Sequence, residues 1–261
     1  MAFFVYQFQV FMLVLLRINA MFIIAPFFSS DVIPFRIRAA VSFLVTLVVV
    51  PAIVAKGYYI PVNMGEYFLM ALREVVIGLY IGFLVVLTFS AFNLAAQFFA
   101  LQMGFGMSEV VDPVSQISIP VLGQLFNLIA LIVFLAINGH HFLIQAVYRS
   151  YELAPIISFD AAVISKLLQF VVHSFSGMFI IALKIALPIL GTLFLLTISM
   201  GVLAKAAPQM NILMLGLPIN VMVSFGLLVI ASPMIIRIMQ VALERSFAFV
   251  TRVLLHWPVT G

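Results

Sequence analysis

The segment QMGFGMSEVVDPVSQ, residues 102–116, interrupts one of the most apolar regions of this chain. Between residues 75 and 148 the only Asp, Glu, Lys or Arg side chains are Glu109 and Asp112, and Pro113 follows them directly. Glycine and proline both break helices, and in lipid the backbone N–H and C=O groups of a broken helix would lack partners. The segment is therefore predicted to be buried in protein or to face water, as part of a pore or cavity.

The composition is that of an integral membrane protein. Of 261 residues, 66% are hydrophobic and 8% are charged, whereas about 25% of residues are charged in ordinary soluble domains. The mean hydropathy of +1.33 agrees with this class. Cysteine is absent, which excludes disulfides and thiolate metal sites. The basic residues are scattered, so no nucleic-acid surface is expected.

Apolar runs predict an all-α membrane protein with a single domain, residues 1–261. A spanning helix needs about 20 apolar residues. The runs cover residues 8–28, 39–55, 75–108, 117–137, 167–204 and 219–236. The third run would reach ~50 Å if wholly helical, which exceeds a hydrocarbon core of about 30 Å, so it must tilt, protrude or break. The fifth run contains Lys184 and Pro188, and is either one long kinked helix or two short spans.

Flanking charges predict the orientation. With six spans both termini share one side, and that side collects most of the lysines and arginines, which favours the cytoplasm. The assignment fails if the fifth run is two spans. Residues 237–256 carry polar side chains on one face and are expected to continue the last helix out of the membrane or to lie on its surface. The first apolar run lacks a basic leader and a cleavage site, which is typical of a retained helix.

Small and polar residues indicate helix packing faces. Gly78 and Gly82 form a GxxxG pattern, a spacing that lets two helix backbones approach closely. Asn93 and Gln97 lie on a polar stripe of the same run, and Gln124 lies on the next run. Polar groups at membrane depth face protein or water. Helix–helix contact is the simplest interpretation, and chance in a glycine- and alanine-rich sequence is the alternative.

Two basic residues lie inside apolar runs. A charge at the centre of a span costs on the order of 3 kcal/mol or more. Arg17 should therefore pair with a carboxylate or line an aqueous path, unless its helix protrudes and places it near an interface. Lys184 raises the same question.

The interrupting segment has three interpretations. Gly104-Phe105-Gly106 superficially resembles an ion-selectivity filter, but a single GxG is a weak signal. Met103, Phe105 and Met107 are better suited to fill irregular gaps or to seal a channel. The third interpretation is a packed re-entrant loop.

The sequence contains no recognisable catalytic or metal-binding motif. His140 and His141 are neighbours and would point in different directions on a helix, which makes them poor joint metal ligands. Neither HExxH, GxSxG nor a P-loop lysine motif occurs. We therefore expect neither an enzyme nor a cofactor. Asn138 and Gly139 are predicted to cap the end of the fourth helix.

Several stretches, taken in order, resemble the FliR family, the R subunit of the flagellar and type III secretion export gate. Their order, spacing and total length match the family over nearly the whole chain. The stretches are LRINAMFIIAPFFSSDVIPFRIRAA (16–40), QMGFGMSEVVDP (102–113), GQ (123–124), NGHH (138–141) and PQMNILMLGLPINV (208–221).

The resemblance implies an assembly. In this family one R subunit joins several FliP and FliQ subunits in a closed helical cone at the flagellar basal body, in the bacterial inner membrane and partly above the bilayer plane. FlhB attaches to this core, FlhA surrounds or underlies it, and unfolded flagellar subunits pass through the channel. Residues 1–176 would be FliP-like, and residues 177–257 would form a FliQ-like hairpin.

The resemblance also implies residue roles. The segment at about 102–116 would plug the channel. We add the hypothesis that Gly104 and Gly106 act as joints that let the plug move when substrate arrives. The plug residues would be Gln102, Met103, Gly104, Phe105, Gly106, Met107, Glu109, Asp112 and Pro113. The residues expected to pack helices or subunits are Arg17, Gly78, Gly82, Asn93, Gln97, Gly123, Gln124, Asn138, Gly139, Pro208, Asn211, Gly216, Pro218 and Asn220.

Two other functions remain open at this point. A secondary transporter would bind a small solute with Arg17, Lys184 and the broken third run near the bilayer midplane. An intramembrane hydrolase is a more distant alternative, because the sequence lacks a nucleophile–base set.

Overall fold

The structure, a computed structural model, describes residues 2–29, 33–104, 121–153, 161–207, 209 and 212–256. Within these ranges the chain is helical and has no strand, as the apolar runs predict. The helices are α1 (Ala2–Ile24), α2 (Phe35–Val54), α3 (Met64–Met103), α4 (Val121–Ala136), α5 (Gly139–Leu153), α6 (Ala161–Ala206) and α7 (Ile212–Leu255).

Three helices are much longer than a membrane span. α3 has 40 residues, α6 has 46 and α7 has 44. At ~1.5 Å per residue each exceeds a core of about 30 Å roughly twofold. α3 runs unbroken to Met103, so the over-long third run must tilt or protrude. α3 also begins well before residue 75, the predicted start of the third apolar run. The predicted start is too late because the first turns of α3 carry charged residues, which a hydropathy criterion excludes.

Prolines inside the long helices do not end them. α6 continues through Pro188, so the fifth apolar run is one helix and not two spans. α7 continues through Pro218 and Pro233 to Leu255, so residues 237–256 extend the last helix. Each proline removes one backbone donor, yet helix is assigned on both sides of it.

Within the residues that the structure describes, five helices are long and apolar enough to cross a membrane, namely α1, α2, α3, α6 and α7. A sixth span results if α4 and α5, which bend by 67° at their junction, count as one. The prediction of a capping pair at this junction is partly wrong. Asn138 adopts the left-handed conformation with φ of 58°, whereas Gly139 is already the first residue of α5. Asparagine tolerates this conformation better than most residues.

The chain forms two compact units. The first comprises Met1–Thr88, Phe134–Phe175 and Leu243–Gly261, and the second comprises Phe89–Val133 and Ser176–Ala242. In the first unit α1 packs against α2 and buries Leu13, Val14 and Ile18 almost completely. In the second unit Phe99 and Phe126 are buried with their ring centroids 5.3 Å apart. The single-domain interpretation stays a prediction.

Candidate functional site

A cluster of buried polar side chains lies inside the first unit. We call it the Arg17 cluster, and its members are Arg17 on α1, Tyr58 before α3, Glu74 on α3, and Ser150 and Tyr151 on α5. Arg17 is 0% exposed and Glu74 is 1% exposed. Charges this deeply buried are rare unless they are paired.

Arg17 contacts Glu74 in the bidentate manner that makes arginine–carboxylate pairs strong. Its Nε donates to Glu74 Oε2 at 2.5 Å, and its Nη2 donates to Oε1 at 2.9 Å. Its Nη1 donates to Ser150 Oγ at 2.7 Å. The guanidinium carbon also lies 3.8 Å from the centre of the Tyr151 ring, a cation–π distance. The guanidinium charge of Arg17 is therefore stabilised by Glu74, Ser150 and the ring of Tyr151.

Two tyrosines complete the coordination of the carboxylate. Tyr58 Oη donates to Glu74 Oε1 at 2.6 Å, and Tyr151 Oη donates to Oε2 at 3.0 Å. Burial, with the Glu74 charge in addition, raises the pKa of Tyr58, so its hydroxyl stays protonated and able to donate. The two oxygens of Glu74 thus accept four hydrogen bonds in all, which offsets the cost of removing the ion pair from water.

This geometry answers the question that Arg17 raised. Its expected carboxylate partner is Glu74, which is 57 residues away along the chain. Because the guanidinium is fully buried, a solute in a pathway cannot reach it, and the transporter interpretation loses its main residue. Lys184, the other residue of that interpretation, is exposed on α6.

A glycine face on α3 continues from the Arg17 cluster. Glu74, Gly78 and Gly82 follow one another at four-residue spacing and lie on one side of the helix. A Cβ atom on Gly78 would overlap the backbone oxygen of Arg17, and one on Gly82 would lie 3.0 Å from the oxygen of Met21. The GxxxG pattern therefore lies where the backbones of α1 and α3 are in direct contact, next to the ion pair.

The second unit brings other expected packing residues together. Gln97 Nε2 donates to Asn93 Oδ1 at 2.6 Å. A Cβ on Gly123 of α4 would lie 3.3 Å from the Asn93 amide, so α4 passes close to this polar stripe. Gln124 is exposed on the next position of α4. In the first unit, a Cβ on Gly139 would overlap the ring of Phe134.

Only the first part of the expected plug lies among the described residues. Met103 is fully buried, and Gln102 is partly exposed at the end of α3. Gly104 has φ of +93°, in the region that favours glycine, and its N–H donates to Leu101 O at 3.1 Å. The remaining plug residues, Phe105, Gly106, Met107, Glu109, Asp112 and Pro113, lie outside the described ranges.

The expected packing residues of α7 are partly described. A Cβ on Gly216 would lie 3.6 Å from Met200 Cε, and Pro218 lies inside the helix. Within the ranges that the structure covers, Asn220 Oδ1 is buried without a hydrogen-bond partner. Pro208 and Asn211 lie outside those ranges.

Metal binding finds no support in the part of the chain that the structure describes. No group of three or more His, Cys, Asp or Glu side chains there could hold an ion. The His140 and His141 ring centroids are 4.2 Å apart, and no third ligand joins them.

A pocket at the surface of the first unit was missed by the sequence analysis. It has a volume of about 230 Å³ and is lined by Ile53, Lys56, Gly57, Tyr58, Tyr59, Met70, Tyr148, Tyr151 and Glu152. Lys56 forms an ion pair with Glu152, and the hydrogen bond to this carboxylate raises the pKa of Lys56. The abundance of tyrosine around residues 58 and 150 was the signal available in the sequence.

Comparison with known proteins identifies relatives over most of the chain. The family described as bacterial export proteins, family 1, matches residues 8–246. The flagellar biosynthetic protein FliR of Bacillus subtilis (strain 168) is 32% identical over 232 residues, which cover 87% of this chain and 88% of that protein. FliR of Escherichia coli (strain K12) is 29% identical over 221 residues, covering 85% and 83%. The surface presentation of antigens protein SpaR of Shigella flexneri is 29% identical over 225 residues, covering 84% and 83%.

Proposed function

Because this chain belongs to family 1 of the bacterial export proteins, with FliR and SpaR proteins among its relatives, we propose that it is a non-enzymatic core subunit of the flagellar type III export gate. It forms and plugs the channel through which unfolded flagellar subunits cross the inner membrane. The family match over residues 8–246 carries the proposal, because it includes the plug segment and almost every helix.

Exposed apolar surface on α6 and α7 supports an assembly of several chains. In the most apolar part of α3, 61% of the residues are buried, against 28% in α6 and 17% in α7. Such surface must be covered by lipid or by other subunits. We assign FliP and FliQ to this surface, with FlhB and FlhA joining the assembled core.

The Arg17 cluster supports a structural rather than a catalytic role for its charges. Its ion pair is closed off from solvent and satisfied by protein donors. It fixes α1, α3 and α5 against one another in the first unit. The plug is then a segment of about residues 102–116 that follows α3, and the left-handed Gly104 is its first joint.

The test is native mass spectrometry of the tagged chain after gentle extraction from cells that also express its genomic neighbours. We expect a complex with one copy of this chain and several copies of two smaller hydrophobic subunits. Ile230→Asp, on the exposed face of α7, should reduce the recovered complex, whereas Val62→Asp, exposed outside α6 and α7, should not. A monomer or homodimer free of partners would overturn the proposal.

A further inference from the structure

Tyrosines gather at one end of the first unit. Of the chain's seven tyrosines, all except Tyr80 lie on the first turns of α1, between α2 and α3, at the start of α3 or at the end of α5. Contacts tie this group together: Tyr6 Oη donates to Tyr58 O at 2.8 Å, and the Tyr58 and Tyr151 ring centroids are 5.6 Å apart. Tyr67 Oη donates to Gln9 O at 3.2 Å.

Such a group of tyrosines indicates a membrane–water interface. Tyrosine is enriched there because its ring is apolar and its hydroxyl is polar. The neighbouring helices fit this position, since α2 and α3 are both long and apolar enough to span and both have their ends here. In the most apolar part of α2 only 22% of the residues are buried, which leaves surface for acyl chains.

The tyrosine-lined pocket opens at this same end of the unit. Its volume of about 230 Å³ is several times the ~30 Å³ that one water molecule occupies in the liquid, so it has room for a small polar group. Two opposite charges lie at the pocket, Lys56 and Glu152, whose side chains are 50% and 44% exposed. An ion pair this exposed adds little to stability, so its charges can exchange partners at low cost.

Tyrosine rings line the pocket, and one of them contacts Lys56. Lys56 Nζ donates to Tyr148 Oη at 3.1 Å and lies 4.9 Å from the centre of the Tyr148 ring. The ring of Tyr148 is thus already used for a cation–π contact, and Tyr59 lines the same pocket. A ligand with one anionic and one cationic group could pair the first with Lys56 and the second with Glu152.

We propose that this pocket binds the headgroup of phosphatidylethanolamine, with the phosphate on Lys56 and the ammonium on Glu152. The headgroup inserts between the two side chains, and each charge exchanges one ion pair for another. The ammonium donates hydrogen bonds to the carboxylate, which the quaternary ammonium of phosphatidylcholine cannot do. Phosphatidylglycerol supplies a phosphate but no cation, so it leaves Glu152 facing a second negative charge. The site therefore selects a zwitterionic lipid with a primary amine.

The test is lipid titration of the delipidated, assembled complex, followed by native mass spectrometry. Phosphatidylethanolamine, phosphatidylglycerol and phosphatidylcholine with identical acyl chains serve as probes. We expect phosphatidylethanolamine to bind about tenfold or more tightly than either of the others, the scale of a hydrogen bond to a charged group. Equal affinities for the three lipids would overturn the proposal.

Variants test the roles of the two charges. Glu152→Gln should abolish the preference and bring phosphatidylglycerol to at least equal affinity, while Lys56→Gln should weaken the binding of all three lipids. Lys166→Gln, on an exposed residue of α6, is the matched control and should change nothing. A lipid preference that survives Glu152→Gln, in complexes with the melting temperature of the parent, would refute the assignment. So would a partner subunit cross-linked to Tyr59 in place of lipid.

Discussion

Arg17 and Glu74 form an ion pair whose removal from water has to be offset inside the protein. A buried pair is strongly stabilised only when its remaining donors and acceptors are also satisfied. Here Ser150, Tyr58 and Tyr151 supply those groups. The cluster links three helices through buried, hydrogen-bonded side chains, and these bonds stabilise one relative position of the helices.

Replacing one partner of the ion pair should therefore lower the free energy of unfolding more than replacing both partners. Arg17→Met leaves a buried carboxylate without its counter-charge, and we expect a loss of about 3–5 kcal/mol in the free energy of unfolding. The double variant Arg17→Met with Glu74→Met should lose less than Arg17→Met alone, because no unpaired charge remains. Thermal unfolding of the purified complex in detergent measures both.

Lys184→Met is the control for this prediction. It removes a basic residue that is exposed within an apolar helix, and we expect a change within about 0.5 kcal/mol. If Arg17→Met unfolded at the same temperature as the parent protein, the Arg17 cluster would not stabilise the first unit.

At the scale of elements, α1 and α3 pack with their backbones in close approach. Gly78 and Gly82 make this possible, and the approach brings Glu74 within reach of Arg17. In this helix pair the glycines allow a short interhelical distance, and the Arg17–Glu74 ion pair fixes which turns of α1 and α3 lie side by side. Small residues are the usual means by which helices associate where hydrophobicity alone cannot drive them together.

Adding one methyl group tests this contact. Gly78→Ala should destabilise the complex by about 1–3 kcal/mol through overpacking, because the Cβ would overlap backbone that cannot move aside. Gly82→Ala should cost less, because its Cβ would lie 3.0 Å from the nearest atom. The measurement is the melting temperature, together with the yield of assembled complex.

Gly65→Ala is the matched control at the start of α3. The nearest atom to a Cβ at this position is Asn63 Oδ1 at 3.6 Å, so alanine should be neutral or should stabilise the helix by up to about 1 kcal/mol. Equal effects of Gly78→Ala and Gly65→Ala would show that α1 and α3 are not in close backbone contact at Gly78.

At the scale of the whole molecule, the proposed function depends on the segment that follows α3. Gly104→Val places a β-branched residue at φ of +93°, which such residues avoid, and its Cβ would lie 2.7 Å from Leu217 Cδ2. We expect the strained joint to hold the plug away from its closed position. Ion conductance through the resting gate, measured in planar bilayers with the assembled complex, should rise several-fold.

Gly65→Val controls for a valine placed on α3, away from the surface assigned to partner subunits. The nearest atom to a Cβ there is Asn63 Oδ1 at 3.6 Å, an ordinary contact, so conductance and export should stay unchanged. If Gly104→Val left both ion leak and export of flagellar subunits as in the parent, Gly104 would not act as a joint of the plug.

The sequence by itself determined the helical class and the membrane environment, and for Arg17 it left a carboxylate partner, an aqueous path and a protruding helix as alternatives. These properties depend on composition and on short-range spacing, which a single chain displays directly. It also located the glycine pair on α3. It did not determine that α6 continues through Pro188, because a proline can either kink or end a helix.

Only the tertiary structure decided which residues meet. Glu74 lies just before the third apolar run, yet it is the partner of Arg17, and Ser150, 133 residues from Arg17, joins them. Lys56 and Glu152 come together in the same way, from different helix ends. The physical reason is that such pairs depend on which helix faces pack together. Which helix faces pack together depends on close packing and on the satisfaction of buried polar groups over the whole unit. A local sequence pattern does not contain this information.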